Sequence, residues 1–143
     1  MIRKAWAVWN GGFKDGGGTI STETGVLKEA PYGFKSRFEN GKGTNPEELI
    51  AAAHASCFSM MLSKLLGDAK KTASDIRTKA TLTLSNASGG WKISKIHLET
   101  EVSGGGLDAE TLNRIAGQAK EQCPISVLLK PGLESLTLDV RLK

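Results

Sequence analysis

The chain has 143 residues, of which 39% are hydrophobic and 24% are charged. This composition predicts one folded domain over residues 1–143 and excludes a disordered chain or a membrane protein. The 19 basic and 15 acidic side chains give a net charge of +4. The basic excess is scattered and lacks the aromatic-interleaved stripe of nucleic-acid-binding proteins, so no nucleic-acid partner is expected.

The first 40 residues predict a small antiparallel meander. Residues 31–33 (Pro-Tyr-Gly) predict a turn, and residues 34–38 are a candidate for a further strand. The other short strands are expected at residues 2–10, 18–22 and 25–29.

A strong helix signal follows. Asn45 is a typical N-cap residue, and Glu48 stands where a capping box needs it. The helix is expected over residues 46–66, ending at Gly67.

Residues 49–63 of this helix carry no charge on any face, which is typical of a buried helix. One small sheet covers only one side of a helix, so a second copy of the chain is expected on the other side, forming a homodimer. The charge-free stretch is 15 residues long, shorter than the roughly 20 of a membrane span. We therefore expect no membrane association and a cytoplasmic protein.

Residues 76–85 and 91–102 alternate as two strands joined by a turn at 86–90, and the out-of-phase Ile93 predicts a bulge near Ser94. Three glycines, 104–106, end this hairpin.

Asp108 is the expected cap of a second helix, whose apolar stripe ends at Cys123. Pro124 breaks that helix and opens a short helical turn over residues 124–129, before a last strand that carries Leu136 to Leu142. The predicted fold class is α+β with an antiparallel sheet.

The two cysteines are the main chemical candidates. Cys57 lies in the middle of the apolar helix, and Cys123 precedes Pro124, where exposed amides favour a thiolate. Core packing explains either cysteine equally well. His54 lies three positions before Cys57, which suits either a Cys–His nucleophile pair or a hydrogen-bonded core histidine. No zinc-finger spacing occurs among the cysteines and histidines, so no metal is expected.

Arg37 lies between apolar residues and needs a carboxylate partner if it points inward. Glu48 is accounted for by helix capping. Glu47 is therefore the expected partner of Arg37.

Three segments resemble the OsmC (osmotically inducible protein C) branch of the OsmC/Ohr thiol peroxidase family: PYGFKSRF at 31–38, GTNPEEL at 43–49 and AAHASCF at 52–58. The segment CPIS at 123–126 is similar to the second cysteine motif of that family. The resemblance covers essentially the whole chain. It implies an OsmC-like fold, in which a sheet wraps a long central helix in an intertwined homodimer.

The resemblance also implies a peroxidase of oxidative and osmotic stress defence that works without metal or cofactor. Cys57 would be the peroxidatic residue and Cys123 the resolving residue, while Arg37 would activate the thiolate and Glu47 would hold Arg37. The implied substrates are organic hydroperoxides and, less or comparably, hydrogen peroxide. The reductant would be an external dithiol, either a protein or a small thiol, with a lipoyl-type group as one candidate.

One geometric question and two alternatives stay open. Glu47 and Cys57 are ten positions apart on one helix, about 15 Å along its axis, so Arg37 spans much of that gap or the site draws on two chains. A non-catalytic redox-sensing or binding protein is one alternative. The other is a cysteine hydrolase that uses Cys57 and His54.

Overall fold

Strands and helices occupy most of the computed structural model, which describes residues 1–87, 89–104 and 106–143. Ser88 of the predicted turn and Gly105 of the predicted glycine triplet lie outside the described residues. The elements fall into two compact units, Met1–Leu49 and Ile50–Lys143. In chain order they are β1 (Ala5–Asn10), β2 (Gly17–Thr22), β3 (Ala30–Gly33), α1 (Phe34–Phe38), α2 (Pro46–Asp68), β4 (Asp75–Ala87), β5 (Gly90–Ser103), α3 (Ala109–Gln122), α4 (Pro124–Leu129), a 3₁₀ turn (Lys130–Gly132) and β6 (Ser135–Leu142).

The first unit holds an antiparallel sheet of order β1-β2-β3, which confirms the meander but moves its third strand. The predictions of a strand at 25–29 and of a turn at 31–33 are wrong. Gly25 and Glu29 have φ values of 75° and 50°, which an extended strand does not tolerate, so the chain loops before it pairs again as β3.

The prediction of a strand at Phe34–Phe38 is also wrong, because this segment is the helix α1. The hydroxyl of Ser36 accepts a hydrogen bond from the Gly33 N–H at 3.0 Å and lies 2.8 Å from the Thr44 carbonyl, to which it donates. The buried Ser36 hydroxyl thus pairs with the Gly33 N–H at the start of α1 and with a carbonyl eight residues further on. Side-chain bonds of this kind to nearby backbone favour a helical turn over an extended segment.

The predicted start of α2 is confirmed. The Asn45 side-chain oxygen accepts a hydrogen bond from the Glu48 N–H at 2.8 Å, as an N-cap should. The helix continues past Gly67 and ends at Asp68.

Burial of α2 is one-sided. The side chains of His54, Phe58, Leu62 and Leu66, spaced four residues apart, form its buried stripe. On the opposite side Met60 is 75% exposed. Within a single chain the helix is therefore buried along one stripe, with Cys57, Met61 and Leu65 partly buried against the core beside it, and exposed on the face that carries Met60.

The helix α2 is long and apolar enough to cross a membrane by length and composition, since an 18-residue window has a mean hydropathy of 1.5. The sequence-based expectation counts only the charge-free residues 49–63, so it underestimates the length of the apolar helix. Core helices of soluble proteins meet the same two criteria, so they do not by themselves identify a membrane span.

The second unit contains a sheet of order β4-β5-β6. β4 and β5 pair antiparallel, and the register shifts so that Ser94 is the extra residue between Ile93 and Lys95, which confirms the predicted bulge. β6 pairs parallel with β5, so the prediction of an antiparallel sheet is wrong for this strand. The intervening helices supply the long crossover that a parallel pair requires.

The helix α3 begins as predicted, because the Asp108 carboxylate accepts a hydrogen bond from the Thr111 N–H at 2.8 Å. Its stripe packs with that of α2 and with the inner face of β5. Together they form the mixed α+β core of this unit. The buried hydrophobic residues are Phe58, Leu62, Leu66, Ile96, Leu98, Val102, Leu112, Ile115, Ala116, Ala119 and Cys123.

Candidate active site

Two cysteines that are 66 positions apart in sequence come into contact in the second unit. Cys57 lies at the middle of α2, and Cys123 is the single residue between α3 and α4. The Cys123 thiol donates to the Cys57 sulfur with the two Sγ atoms 2.9 Å apart, and both cysteines are free. A disulfide needs an S–S distance of about 2 Å, so a small movement is enough to join them.

Only one of the two thiols is accessible. Cys123 is fully buried, whereas Cys57 is partly exposed and lies in an apolar trough of about 570 Å³. A molecule that enters the trough therefore meets Cys57 first. The trough is lined by Ala53, Ser56, Cys57, Met60, Met61, Lys64, Pro124 and Ile125.

The surroundings of Cys57 within this unit oppose its ionisation. Burial raises the pKa of the Cys57 thiol, and the hydrogen bond with Cys123 raises it further, while a bond from the Ile125 backbone lowers it. The net direction is upward. These groups of the second unit therefore do not by themselves favour a thiolate at Cys57.

The first unit holds a cation in a fixed geometry. Arg37, on α1, binds the Glu47 carboxylate through Nη2 at 2.7 Å and through Nε at 3.1 and 3.2 Å. The guanidinium carbon also lies 5.1 Å from the centre of the Phe38 ring. The expected pairing of Arg37 with Glu47 is therefore present, and its forked geometry fixes the orientation of the guanidinium.

Arg37 borders a cleft of about 180 Å³ in the first unit. Aromatic rings dominate this cleft, and Phe34 packs against Phe38 with ring centres 4.9 Å apart. The guanidinium thus lies beside apolar surface. The lining residues are Trp9, Phe13, Tyr32, Gly33, Phe34, Arg37, Phe38 and Pro46.

His54 is a core histidine. It is fully buried, and its Nε2 lies 2.7 Å from the Ser126 hydroxyl, while Nδ1 has no hydrogen-bond partner within the described ranges. Burial lowers the pKa of the imidazole, which therefore stays neutral at pH 7. Neither nitrogen bonds to Cys57 in the described part of the chain, so the nucleophile pair of a cysteine hydrolase is not formed.

Sequence reasoning missed Ser126 as a partner of His54. The two residues are 72 positions apart, and only the packing of α4 on α2 brings them together. Its place in the CPIS segment, three residues after Cys123, was the available signal.

No group of three or more His, Cys, Asp or Glu side chains that would hold a metal ion occurs among residues 1–87, 89–104 and 106–143.

Comparison with known proteins gives consistent matches over nearly the whole chain. Residues 39–135 match the family model "OsmC-like protein". The chain is 51% identical over 141 residues to peroxiredoxin OsmC of Escherichia coli strain K12, covering 99% of this chain and 96% of that protein. It is 31% identical over 110 residues to the organic hydroperoxide resistance protein OhrB of Bacillus subtilis strain 168, covering 76% and 79%.

The fold also matches a solved structure. The crystal structure of an organic hydroperoxide resistance protein OsmC from Legionella pneumophila superposes with a TM-score of 0.79, at 23% sequence identity and with 99% and 98% of the two chains covered. This likeness concerns the fold.

Proposed function

The chain belongs to the OsmC-like protein family, and from this premise we propose that it is a cysteine-based peroxidase that reduces organic hydroperoxides, and hydrogen peroxide as well. The observation that carries the proposal is the 2.9 Å contact between the accessible Cys57 and the buried Cys123. The apolar trough at Cys57 suits a hydroperoxide with a carbon tail.

The reaction uses two sulfur atoms and an external reductant, and no prosthetic group enters it. The Cys57 thiolate attacks the terminal oxygen of the hydroperoxide, so that an S–O bond forms and the O–O bond breaks. The alkoxide leaves and takes up a proton to become an alcohol. Cys57 is then a sulfenic acid.

Cys123 completes the cycle. Its sulfur attacks the sulfur of the sulfenic acid, so that the S–S bond forms and the S–O bond breaks, and the thiol proton leaves with the hydroxide as water. An external dithiol then reduces the disulfide by thiol exchange and is itself oxidised. We infer that a lipoyl-type dithiol, on a protein or free, is the physiological class of reductant.

Arg37 is proposed as the cation that lowers the pKa of Cys57, with Glu47 fixing its orientation. Two facts support this role. The thiol's own surroundings raise its pKa, and Arg37 is held by a bidentate carboxylate in the first unit. The same cation would stabilise negative charge on the leaving alkoxide.

We propose that the active form is a homodimer, with residues 1–143 acting as one OsmC-like domain in each copy. Support comes from the uncovered side of α2, where Met60 is 75% exposed on a face otherwise made of small residues and one lysine. The trough at Cys57 opens on this same face, so a second copy would also enclose the site. The cytoplasm is the proposed compartment, since a reducing environment keeps both thiols free.

The test is peroxide consumption at substoichiometric protein with a dithiol present. Wild-type protein should turn over many times with cumene hydroperoxide, and Cys57→Ser should be inactive because a hydroxyl has a far higher pKa than a thiol. A redox sensor would consume one equivalent and stop. Near wild-type turnover by Cys57→Ser would refute the mechanism, and hydrolysis of a chromogenic ester would revive the hydrolase alternative.

A further inference from the structure

The segment that carries Cys123 touches α2 at three points. The Cys123 thiol contacts Cys57 at 2.9 Å, the Ile125 backbone hydrogen-bonds to Cys57, and Ser126 lies 2.7 Å from His54. The sulfur contact and the His54–Ser126 contact are separated by three residues on both segments. His54 precedes Cys57 by three residues and Ser126 follows Cys123 by three, so the polar contact lies about one helical turn from the sulfur contact.

The bond to Ser126 is the single polar contact of the His54 imidazole among the described residues, since Nδ1 is buried without a hydrogen-bond partner there. Losing Ser126 would leave both ring nitrogens buried and unpaired, which is costly for a polar group away from water.

The His54–Ser126 bond affects the position of Cys123 because Cys123 is joined directly to α4. Cys123 has an extended conformation, with φ −60° and ψ 122°, and it directly precedes α4. A shift of α4 would therefore also move the Cys123 sulfur. The helix α4 has six residues, too few to be stable alone. The buried hydrogen bond between Ser126 and His54 is the side-chain polar contact that helps to hold α4 against α2.

We propose that His54 and Ser126 are positioning residues for the resolving step: their bond holds Cys123 against Cys57 so that the disulfide forms before a second peroxide arrives. This inference rests on the proposed peroxidase function. Peroxide reaches Cys57 through the trough, which neither His54 nor Ser126 lines, so the first chemical step depends on their bond only indirectly, through the trough residues Pro124 and Ile125 that α4 supplies. The second step depends on it directly, because it requires the two sulfurs to meet.

The experiment separates the two steps. Protein is mixed rapidly with one equivalent of cumene hydroperoxide, sulfenic acid is trapped with dimedone, and disulfide is quantified by mass spectrometry. Ser126→Ala should form disulfide about tenfold more slowly, the scale of losing one hydrogen bond to a buried group, and sulfenic acid within about twofold of the wild-type rate. The fraction of Cys57 over-oxidised at a given peroxide excess should rise in proportion.

Variants of His54 supply the complementary test. His54→Gln keeps a side-chain amide, which can donate or accept a hydrogen bond, near the position of Nε2 and should give near wild-type disulfide formation, whereas His54→Leu should behave as Ser126→Ala does. The matched control is Ser59→Ala, which removes a 2.8 Å hydrogen bond from α2 to Thr78 on the neighbouring strand. It should leave the ratio of the two rates unchanged.

Three outcomes would overturn the inference. One is a Ser126→Ala protein that matches Ser59→Ala in its ratio of disulfide to sulfenic acid formation, and another is a Ser126→Ala protein that slows both steps equally. A wild-type protein that consumes peroxide without forming a disulfide would remove the resolving role of Cys123 as well. The wild-type measurement therefore tests the proposed function, and the variant ratio tests this inference alone.

Discussion

Replacing Met60 with lysine should break the proposed dimer. Met60 is 75% exposed on the uncovered side of α2, and a second copy packed on that side would bury it. Burying a whole methionine side chain stabilises a protein by roughly 1.5–3 kcal/mol. Three quarters of that is about 1–2 kcal/mol for each copy.

Two-fold symmetry doubles this figure, because the same residue is buried in both copies. The lost contribution is then about 2–4 kcal/mol, which corresponds to a dissociation constant roughly 30- to 1,000-fold higher. A buried ammonium group in each copy adds to the penalty. Met60→Leu, which keeps an apolar side chain of similar volume, should cost little.

Sedimentation equilibrium at low micromolar protein measures the effect. Wild type and Met60→Leu should give about 30 kDa, twice the chain mass of 15.2 kDa, and Met60→Lys should shift toward the monomer. Thr81→Lys adds the same charge on an exposed strand position and should remain dimeric. A dimeric Met60→Lys protein, or a folded and active wild-type monomer, would refute the reasoning.

Three further predictions concern the site. Cys123→Ser should reduce one equivalent of peroxide and then accumulate sulfinic or sulfonic acid on Cys57, detectable by mass spectrometry; wild-type recycling would show that Cys123 does not resolve the sulfenic acid. Arg37→Met should raise the pKa of Cys57 and lower the peroxidase rate about 10²-fold at neutral pH, and an unchanged thiolate absorbance titration would remove Arg37 from the site. Burial lowers the pKa of His54, so the unfolded chain binds a proton that the folded chain resists, and stability should fall as pH drops below about 6.5. Urea unfolding at pH 7 and at pH 5 should show that the free energy of unfolding falls less in His54→Gln than in the wild type. An equal fall in the two proteins would contradict this account.

Local signals predicted much of the fold. Asn45 and Asp108 are side chains that bond to backbone amides three residues away, so their caps can be read from a short window. The bulge at Ser94 is visible because a single extra residue shifts the phase of the alternation. These features depend on neighbours in sequence.

The errors fall where distant partners decide. Ser36 draws Phe34–Phe38 into a helix partly through a bond to the Thr44 carbonyl, eight residues away, which alternation does not report. The strand β6 lies parallel to β5 because α3, α4 and the 3₁₀ turn carry the chain back to the start of β5 before it pairs, which the alternation of β6 alone does not report. The same holds at the site, where motif resemblance identified Cys57 and Cys123 but did not pair His54 with Ser126, 72 positions away.

The order in which the ribosome makes the two cysteines has a consequence for the nascent chain. Cys57 is synthesised 66 residues before Cys123, which at about 5–20 residues per second is roughly 3–13 seconds. The strand β6, which completes the sheet of the second unit, is made later still and ends at residue 142. Throughout that interval an oxidised Cys57 has no thiol of its own chain to condense with, so each new molecule is most vulnerable to irreversible oxidation before its synthesis ends.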